Sequence, residues 1–225
     1  METITSRDNV KIKYACAVRD SEKQRAADGL FFAEGPKLCL ELAKSCTPRT
    51  VYATAAALAK TPGLATLAPA EIAPHVAEKL SGTKSNQGVF ALFETPVPPA
   101  DTLDTARRIL MLEGVQDPGN VGTLLRSAAA FGFDAVVLGP GCASPLSPKT
   151  LRSSMGAAGR LPTLHSADLP AADFYTMLGG MRKLINAMDA DDQLMLYTTA
   201  GAAECVLPAT SDKALMYKAL GAVQQ

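Results

Sequence analysis

One stretch of the chain, residues 112–138, has the order of a strand, a loop, a helix and a second strand. It reads LEGVQDPGNVGTLLRSAAAFGFDAVVL. An apolar run, RRILML, ends at Leu112, and Asp117 and Pro118 are typical of the start of a helix, where the missing N–H of proline is not needed. Gly132 predicts the end of that helix, and Ala135 begins the next apolar run. The stretch therefore predicts a βαβ unit of a parallel sheet.

The predicted helix has two chemically different faces. Arg126 falls on the outer face, with Gly122 four residues before it and Ala130 four residues after it. A guanidinium between small residues is open to a phosphate, and its planar fork suits that partner. An ordinary Rossmann-like βαβ unit with a solvated surface arginine is the alternative. The apolar residues share the opposite face and are expected to pack on the sheet: Val121, Leu124, Leu125, Ala128, Ala129 and Phe131.

Residues 112–138 resemble the first signature motif of the SpoU/TrmH family of RNA ribose 2′-O-methyltransferases, which belongs to the SPOUT superfamily. That motif carries an Asn and an Arg six residues apart, and Asn120 and Arg126 occupy those positions. The resemblance implies that Asn120 shapes the active-site loop and that Arg126 has the central catalytic role. It also implies S-adenosyl-L-methionine as the cofactor, ribosomal or transfer RNA as the substrate, a homodimer, and no metal.

The first 95 residues are predicted to form a small α/β domain, because strand and helix patterns alternate there. Three fragments resemble the N-terminal, ribosomal-protein-like substrate-binding domain of the same family, namely residues 5–9, residues 32–35, and residues 80–83 with 87–89. The predicted helices cover about 36–45, 54–60 and 70–80, with a short one among residues 12–18, and the predicted strands cover 30–33, 51–53, 64–67 and 89–93.

Cations of this first domain are candidate phosphate contacts, because Lys and Arg supply most of the sequence-independent affinity for RNA. The candidates are Arg7, Lys11, Lys13 and Lys84. Acidic residues are interleaved with them, so a solvated surface with paired charges is the alternative for each side chain.

A proline-rich segment separates the two predicted domains. Residues 95–99 read TPVPP, and three prolines in four residues favour an extended linker. The predicted organisation is an RNA substrate-binding domain at 1–95, a linker at 96–104 and a SpoU-type methyltransferase domain at 105–225. The expected fold class is α/β: the small N-terminal domain, then a Rossmann-like parallel-sheet α/β-knot domain that is incomplete at its C-terminus.

The most one-sided charge of the chain follows the βαβ unit. No acidic residue lies between Asp134 and Asp168, and a helix is predicted from Pro148 to about Met155, with Ser147 as its cap. Two fragments, Pro148-Lys149 and RSSMG at 152–156, resemble the family's RNA-facing stretch after the first motif. The resemblance implies that Lys149, Arg152 and Ser153 contact RNA, and a plain surface helix is the alternative.

The resemblance covers residues 3 to about 197. From Asp189 onward the chain shows neither the Gly-Asn-Glu motif nor the Pro-Met segment with Ser-Leu-Asn that complete the family's cofactor-binding knot. Two hypotheses remain open: a truncated or frame-shifted gene product, and a member that has lost its cofactor site and kept RNA binding. The first hypothesis, truncation or frame shift, is favoured because the motif around Arg126 is intact. Helices at 168–180 and 214–223 and a strand at 183–188 are also predicted.

The overall composition excludes several other classes of function. The 225 residues carry 22 basic and 22 acidic side chains, so any binding of nucleic acid must use local patches. The chain contains no Walker loop and no apolar run long enough for a membrane span, so we expect a cytoplasmic protein rather than a membrane protein or a P-loop nucleotide-binding protein. The two histidines suggest no metal cluster. Five scattered cysteines, expected to be reduced, are Cys16, Cys39, Cys46, Cys142 and Cys205.

Overall fold

The computed structural model describes residues 3–83, 85–166, 194–198 and 204–222. The α-helices of this part are α1 (Val10–Asp20), α2 (Glu22–Asp28), α3 (Pro36–Leu42), α4 (Ala55–Lys60), α5 (Pro74–Leu80), α6 (Thr102–Thr105), α7 (Pro118–Ala130), α8 (Pro148–Ser153) and α9 (Lys213–Ala222). The strands are β1 (Leu30–Glu34), β2 (Pro48–Ala53), β3 (Ala70–Glu71), β4 (Val89–Glu94), β5 (Ile109–Leu112), β6 (Ala135–Leu138), β7 (Thr163–His165), β8 (Leu194–Thr198) and β9 (Glu204–Thr210). Short 3-10 helices lie at Pro62–Leu67 and Ala157–Gly159.

The described strands form three sheets. The first has the order β1-β4-β2-β3, in which β4 is antiparallel to both neighbours and β3 is parallel to β2. The second has the order β5-β6-β7 and is parallel throughout. Strands β8 and β9 pair antiparallel with each other. The predicted α/β fold class with a parallel sheet is confirmed.

Both faces of the first sheet are covered, which explains why its strands are almost continuously apolar. Phe31 and Phe93 stack on one face with ring centroids 5.5 Å apart, and this face packs against α3 and α4. Phe32 and Phe90 lie on the other face, which packs against α1 and α5. Alternate residues of one strand therefore belong to two different cores.

The parallel sheet and α7 form the predicted βαβ unit. Leu112 at the end of β5 is in register with Leu138 at the end of β6. Val121 and Leu125 of α7 are fully buried against the sheet. Gly132 follows the helix with a φ of +71°, a left-handed conformation that favours glycine. The helix end predicted from Gly132 is therefore confirmed.

The second sheet and the end of α3 share one continuous core. The carbonyl of Gly159 accepts a hydrogen bond from the Cys46 thiol at 3.1 Å, and Arg160 forms an ion pair with Glu41 at 3.0 Å. A Cβ atom at Gly159 would lie 2.5 Å from Leu42 Cδ2 and 2.9 Å from Cys46 Sγ, so a larger residue here would force these side chains to shift.

Two predictions from the sequence are wrong. Residues 64–67 are not a strand but part of the 3-10 helix that Pro62 begins, and the strand of this region is the later β3. Phe131 does not pack on the sheet: the helix ends at Ala130, and Phe131, as the residue after its last turn, is 72% exposed.

Other predictions have mixed outcomes. The helix expected at 36–45 ends earlier, at Leu42, and the helix expected at 214–223 is present as α9. Helix α6 begins within the segment predicted as a linker. The helix predicted at 168–180 and the strand predicted at 183–188 lie outside the described residues. Within the described part of the chain, every helix is too short or too polar to span a membrane.

Candidate functional site

Helix α7 places Asn120, in its first turn, and Arg126, in its third turn, at the surface. Asp117 caps the helix, because its carboxylate accepts a hydrogen bond from the backbone N–H of Asn120 at 3.0 Å. The side chains of Asn120 and Arg126 are both exposed, and neither has a hydrogen-bond or ionic partner among the described residues. Six residues of helix place them roughly 9 Å apart along the axis. The free amide and the free guanidinium are both exposed, about 120° apart around the helix axis.

Helix α8 lies directly against α7, and a glycine makes the contact possible. A Cβ atom at Gly122 would lie 1.9 Å from Ser153 Oγ and 2.6 Å from the backbone oxygen of Thr150. Gly122 is buried by this contact. The expectation that Gly122 leaves open space beside Arg126 is therefore corrected: its missing side chain makes room for α8, whereas the other small neighbour, Ala130, is exposed as expected.

An ion pair joins the start of α7 to α8. Lys149 Nζ lies 2.6 Å from Asp117 Oδ2, and both side chains are about half exposed. The hydrogen bond from Lys149 and the backbone N–H groups of Asn120 and Gly119 lower the pKa of Asp117 below its usual value. The Asp117 carboxylate therefore stays charged at neutral pH and holds Lys149 at the edge of the site.

The remaining predicted contacts on α8 have different surroundings. Ser153 Oγ lies within hydrogen-bond distance of the carbonyl of Pro118, at 3.2 Å, and of two carbonyls of its own helix, and its single O–H donates to one of them at a time. Arg152 is half-buried, and its Nη1 atom is enclosed without a hydrogen-bond partner. A buried guanidinium nitrogen without an acceptor is costly. Arg160 is already paired with Glu41.

The candidate cations of the N-terminal region are not all free. Arg7 pairs with Glu78 at 2.6 Å and Lys13 pairs with Asp8 at 2.9 Å, so intramolecular carboxylates occupy both. Lys11 is exposed, with no ionic partner in the part of the chain that is described. Lys84 lies outside the described residues. The RNA-binding roles of these residues stay predictions.

The thiols and acidic groups of the described residues do not cluster. No group of three His, Cys, Asp or Glu side chains is arranged to hold a metal among these residues. Burial raises the pKa of the Cys39 thiol well above its usual value, because the thiolate would be desolvated. Cys16, Cys39, Cys46 and Cys142 are free thiols.

Sequence reasoning missed two contacts around the site. The Asp117–Lys149 ion pair joins residues 32 positions apart. Asp117, the acidic partner of Lys149, lies before residues 135–167, and sequence reasoning considered only the basic charges within that segment. The contact between Gly122 and Ser153 was also missed. A glycine in the interior of a predicted helix was the available signal, because such a glycine often permits a close helix contact.

Taken together, these observations define an α/β protein with an exposed arginine on a helix that packs on a parallel sheet. A family profile described as the SpoU rRNA Methylase family matches residues 107–206. A second profile, the MRM3-like substrate binding domain, matches residues 9–91.

Curated relatives and solved structures agree with these matches. The 23S rRNA (guanosine(2553)-2′-O)-methyltransferase RlmP of Bacillus subtilis is 50% identical over 66 residues, which is 29% of this chain and 27% of that protein. A putative RNA methyltransferase of the TrmH family from Porphyromonas gingivalis has a TM-score of 0.62 and 32% identity, covering 79% of this chain and 68% of that one. An AdoMet-bound rRNA methyltransferase from Sinorhizobium meliloti has a TM-score of 0.65 and 25% identity, covering 78% and 67%.

The chain belongs to the SpoU/TrmH family of RNA methyltransferases, as the resemblance of residues 112–138 predicted. The matches to the first curated relatives span between about a quarter and two fifths of the length of those proteins.

The described residues do not by themselves fit S-adenosylmethionine. The loops at the carboxyl ends of β5 and β6 are the expected place for a ligand of a parallel sheet. Their polar groups already bond to one another: Gly139 N–H donates to Leu112 O at 2.7 Å, and Gly114 N–H donates to Pro140 O at 2.9 Å. Strands β8 and β9 pair only with each other among the described strands.

Proposed function

We propose that this protein is an RNA ribose 2′-O-methyltransferase of the SpoU/TrmH type that uses S-adenosylmethionine and acts on ribosomal or transfer RNA. The observation that carries the proposal is the free, exposed guanidinium of Arg126 at the family's motif position. The AdoMet-bound neighbour supports the cofactor, and the relative that methylates 23S rRNA supports the substrate class. A homodimer and a cytoplasmic location are further parts of the proposal.

When bound, S-adenosylmethionine would supply a methyl group from its sulfonium to a ribose 2′-oxygen and leave as S-adenosylhomocysteine, while the 2′-hydroxyl proton would pass to water. The chain's own task is to position the RNA. Arginine side chains stay protonated in proteins, so Arg126 is a poor general base. We assign it instead to the RNA phosphate next to the reacting ribose, where it also stabilises the negative charge that develops on the 2′-oxygen.

Neighbouring groups organise this contact. The Asp117–Lys149 ion pair anchors α8 to the first turn of α7 at 2.6 Å and so fixes the helix that presents Arg126. Asn120 is exposed in the first turn of the same helix, and its side-chain amide has no partner among the described residues.

A second candidate function is RNA binding without methyl transfer. The absence of both later family motifs after Asp189 favours it, as do the strand-end loops whose polar groups bond to each other. Arg126, Lys149 and Arg152 would then bind RNA in a protein that does not bind the cofactor.

A calorimetric titration of the full chain with S-adenosylmethionine separates the two functions. Saturable binding with one site per chain supports the methyltransferase. If no heat of binding is seen while the protein still binds an unmodified 23S ribosomal RNA transcript, the methyltransferase proposal fails and the RNA-binding function stands.

A further inference from the structure

The two predicted domains, called here the N-terminal and C-terminal units, are in direct contact as well as joined by the linker. The end of α3 and the turn after it contact residues 156–161, which follow α8. The Cys46 thiol donates to the carbonyl of Gly159 across this contact at 3.1 Å. Leu42 of α3 and Leu125 of α7 belong to the same buried hydrophobic cluster. Packed side chains, and not the linker alone, therefore set the position of one unit relative to the other.

Two glycines of the C-terminal unit allow α3 to approach closely. A Cβ atom at Gly159 would lie 2.5 Å from Leu42 Cδ2 and 2.9 Å from Cys46 Sγ, and both of these side chains are buried. A Cβ atom at Gly156 would lie 3.0 Å from Cγ of Glu41. Because protein interiors are close-packed, larger residues at these two positions would push α3 away or displace its side chains. The surface formed by residues 156–161 is therefore shaped to fit α3.

Ion pairs lie at the exposed edge of the same contact. Glu41 Oε1 lies 3.0 Å from Arg160 Nη1, and Glu41 Oε2 lies 2.6 Å from Lys44 Nζ. The three side chains are between 32% and 72% exposed, and ion pairs in such positions contribute little to stability. The buried part of the contact, around Gly159, therefore holds the two units together.

The segment that contacts α3 also contacts α7, the helix that carries Arg126. Ser154 is fully buried, and its Oγ donates to the carbonyl of Leu151 at 3.0 Å and accepts from the N–H of Ala158 at 3.5 Å. These hydrogen bonds join α8 to the 3-10 helix that contains Gly159. Both of these elements pack against α7. A continuous series of packed elements therefore connects α3 of the N-terminal unit to the helix with the exposed guanidinium.

A fixed relation between the two units matters for a substrate that contacts both. The substrate-binding profile matches residues 9–91, and Arg126 lies in the C-terminal unit. A rigid connection orients such a substrate once, whereas a flexible linker would let the two surfaces move independently. We propose that the contact between α3 and residues 156–161 is a rigid coupling that stays closed while RNA is bound, with Gly159 and Leu42 as positioning residues. The inference rests on the proposed function and concerns how the same RNA is oriented toward Arg126.

Alkylation of Cys46 measures whether the contact stays closed, because this side chain is only 8% exposed. The wild-type full chain is treated with iodoacetamide, with and without bound 23S ribosomal RNA transcript, and the modified peptides are identified by mass spectrometry. Protein unfolded in urea is the positive control. Cys46 should react equally slowly in both native samples. If bound RNA accelerates its alkylation, the contact opens on binding and the proposal fails.

Gly159→Val tests the positioning role, because it inserts a side chain into the contact. Cys46 should be alkylated faster than in the wild type, while Cys39, which is fully buried on α3, should stay protected. At a temperature at which circular dichroism shows a folded protein, kcat for methyl transfer should fall at least about ten-fold, since a misplacement of about 1 Å can cost about a hundred-fold. The KM for the RNA should change much less, because no proposed RNA contact is removed. A kcat equal to that of the wild type in the folded variant would refute the positioning role.

Two control variants accompany this test. Gly63→Val changes the 3-10 helix of the N-terminal unit, where a Cβ atom would meet only Leu40 Cδ1 at 3.9 Å, so its kcat should match the wild type. Gly159→Val/Leu42→Ala adds and removes equal numbers of carbon atoms, and volume-conserving changes in a core are tolerated best. This double variant should recover part of the lost kcat and of the protection of Cys46. No recovery of either would overturn the assignment of Leu42.

Failure of the proposed function and failure of the coupling give different results. If the wild type binds the transcript but transfers no methyl group, the methyltransferase proposal fails, and the alkylation of Cys46 still decides whether the coupling is rigid. If methyl transfer occurs but RNA makes Cys46 reactive, the coupling fails and the proposed function stands. If Gly159→Val does not fold, the wild-type alkylation decides. If the wild type binds no RNA, both proposals fail.

Discussion

Replacing Gly122 by alanine tests whether α7 and α8 must lie in contact. Alanine favours an isolated helix over glycine by about 1 kcal/mol. The new Cβ atom would meet Ser153 Oγ at 1.9 Å, Thr150 O at 2.6 Å and Ser153 Cβ at 2.9 Å. The hydroxyl can rotate away only by giving up its hydrogen bonds, and the backbone carbonyl can move only with α8.

The packing effect should outweigh the helix propensity. Overpacking a tight contact costs about 1–3 kcal/mol, and the backbone clash places this site at the upper end. After the gain in helix propensity, we expect Gly122→Ala to lower the free energy of unfolding by about 2 kcal/mol. For a chain of this size that corresponds to a drop in Tm of about 4–8 °C.

The assay is urea unfolding followed by circular dichroism, with Gly63→Ala as a matched control. A Cβ atom at Gly63 would meet only Leu40 Cδ1, at 3.9 Å, so this variant should be about as stable as the wild type or more stable by at most about 1 kcal/mol. Adding Ser153→Ala to Gly122→Ala should restore part of the loss, because it removes the shortest contact. If Gly122→Ala unfolds at the wild-type urea concentration, the close helix contact is wrong.

Two further predictions concern titrating groups. The pKa of the Asp117 carboxyl is lowered in the folded state. Its ion pair with Lys149 therefore stabilises the fold at pH values above the pKa of the unfolded carboxyl, about 3.9. This contribution is lost as the pH falls through the pKa of the folded state. The urea midpoint of the wild type should therefore fall more steeply below about pH 4 than that of Asp117→Asn, which keeps the helix cap, and equal slopes would contradict the ion pair. Cys39 is fully buried with a raised pKa, so iodoacetamide at about pH 8 should alkylate it only in urea-unfolded protein, as read by mass spectrometry. Alkylation of the native thiol at the same rate would contradict its burial.

Local patterns predicted the elements around the site better than the contacts between them. The βαβ unit was predictable because Pro118, Gly132 and the apolar strands each act within a few residues. The 3-10 helix at Pro62–Leu67 was not, because a short apolar run has no periodicity that separates it from a strand. Phe131 was assigned to the buried face because the helical wheel does not show where the helix ends.

The tertiary contacts depend on residues far apart in the chain. Asp117 with Lys149, Glu34 with residues 81–83, and Cys46 with Gly159 all join segments that no local pattern connects. The charge of Lys149 could be read from the sequence, but its partner could not. The exposed position of Arg126 was predictable because the period of the helix alone sets it.

Methyl transfer by the Arg126→Lys variant tests the central claim most directly. The wild type and the variant are incubated with labelled S-adenosylmethionine and an unmodified 23S ribosomal RNA transcript, and the methylated ribose is located by its resistance to alkaline cleavage. Lysine keeps the positive charge but not the planar fork, so RNA affinity should stay close to that of the wild type while most methyl transfer is lost. Methyl transfer by Arg126→Lys at the wild-type rate would contradict the role of this guanidinium.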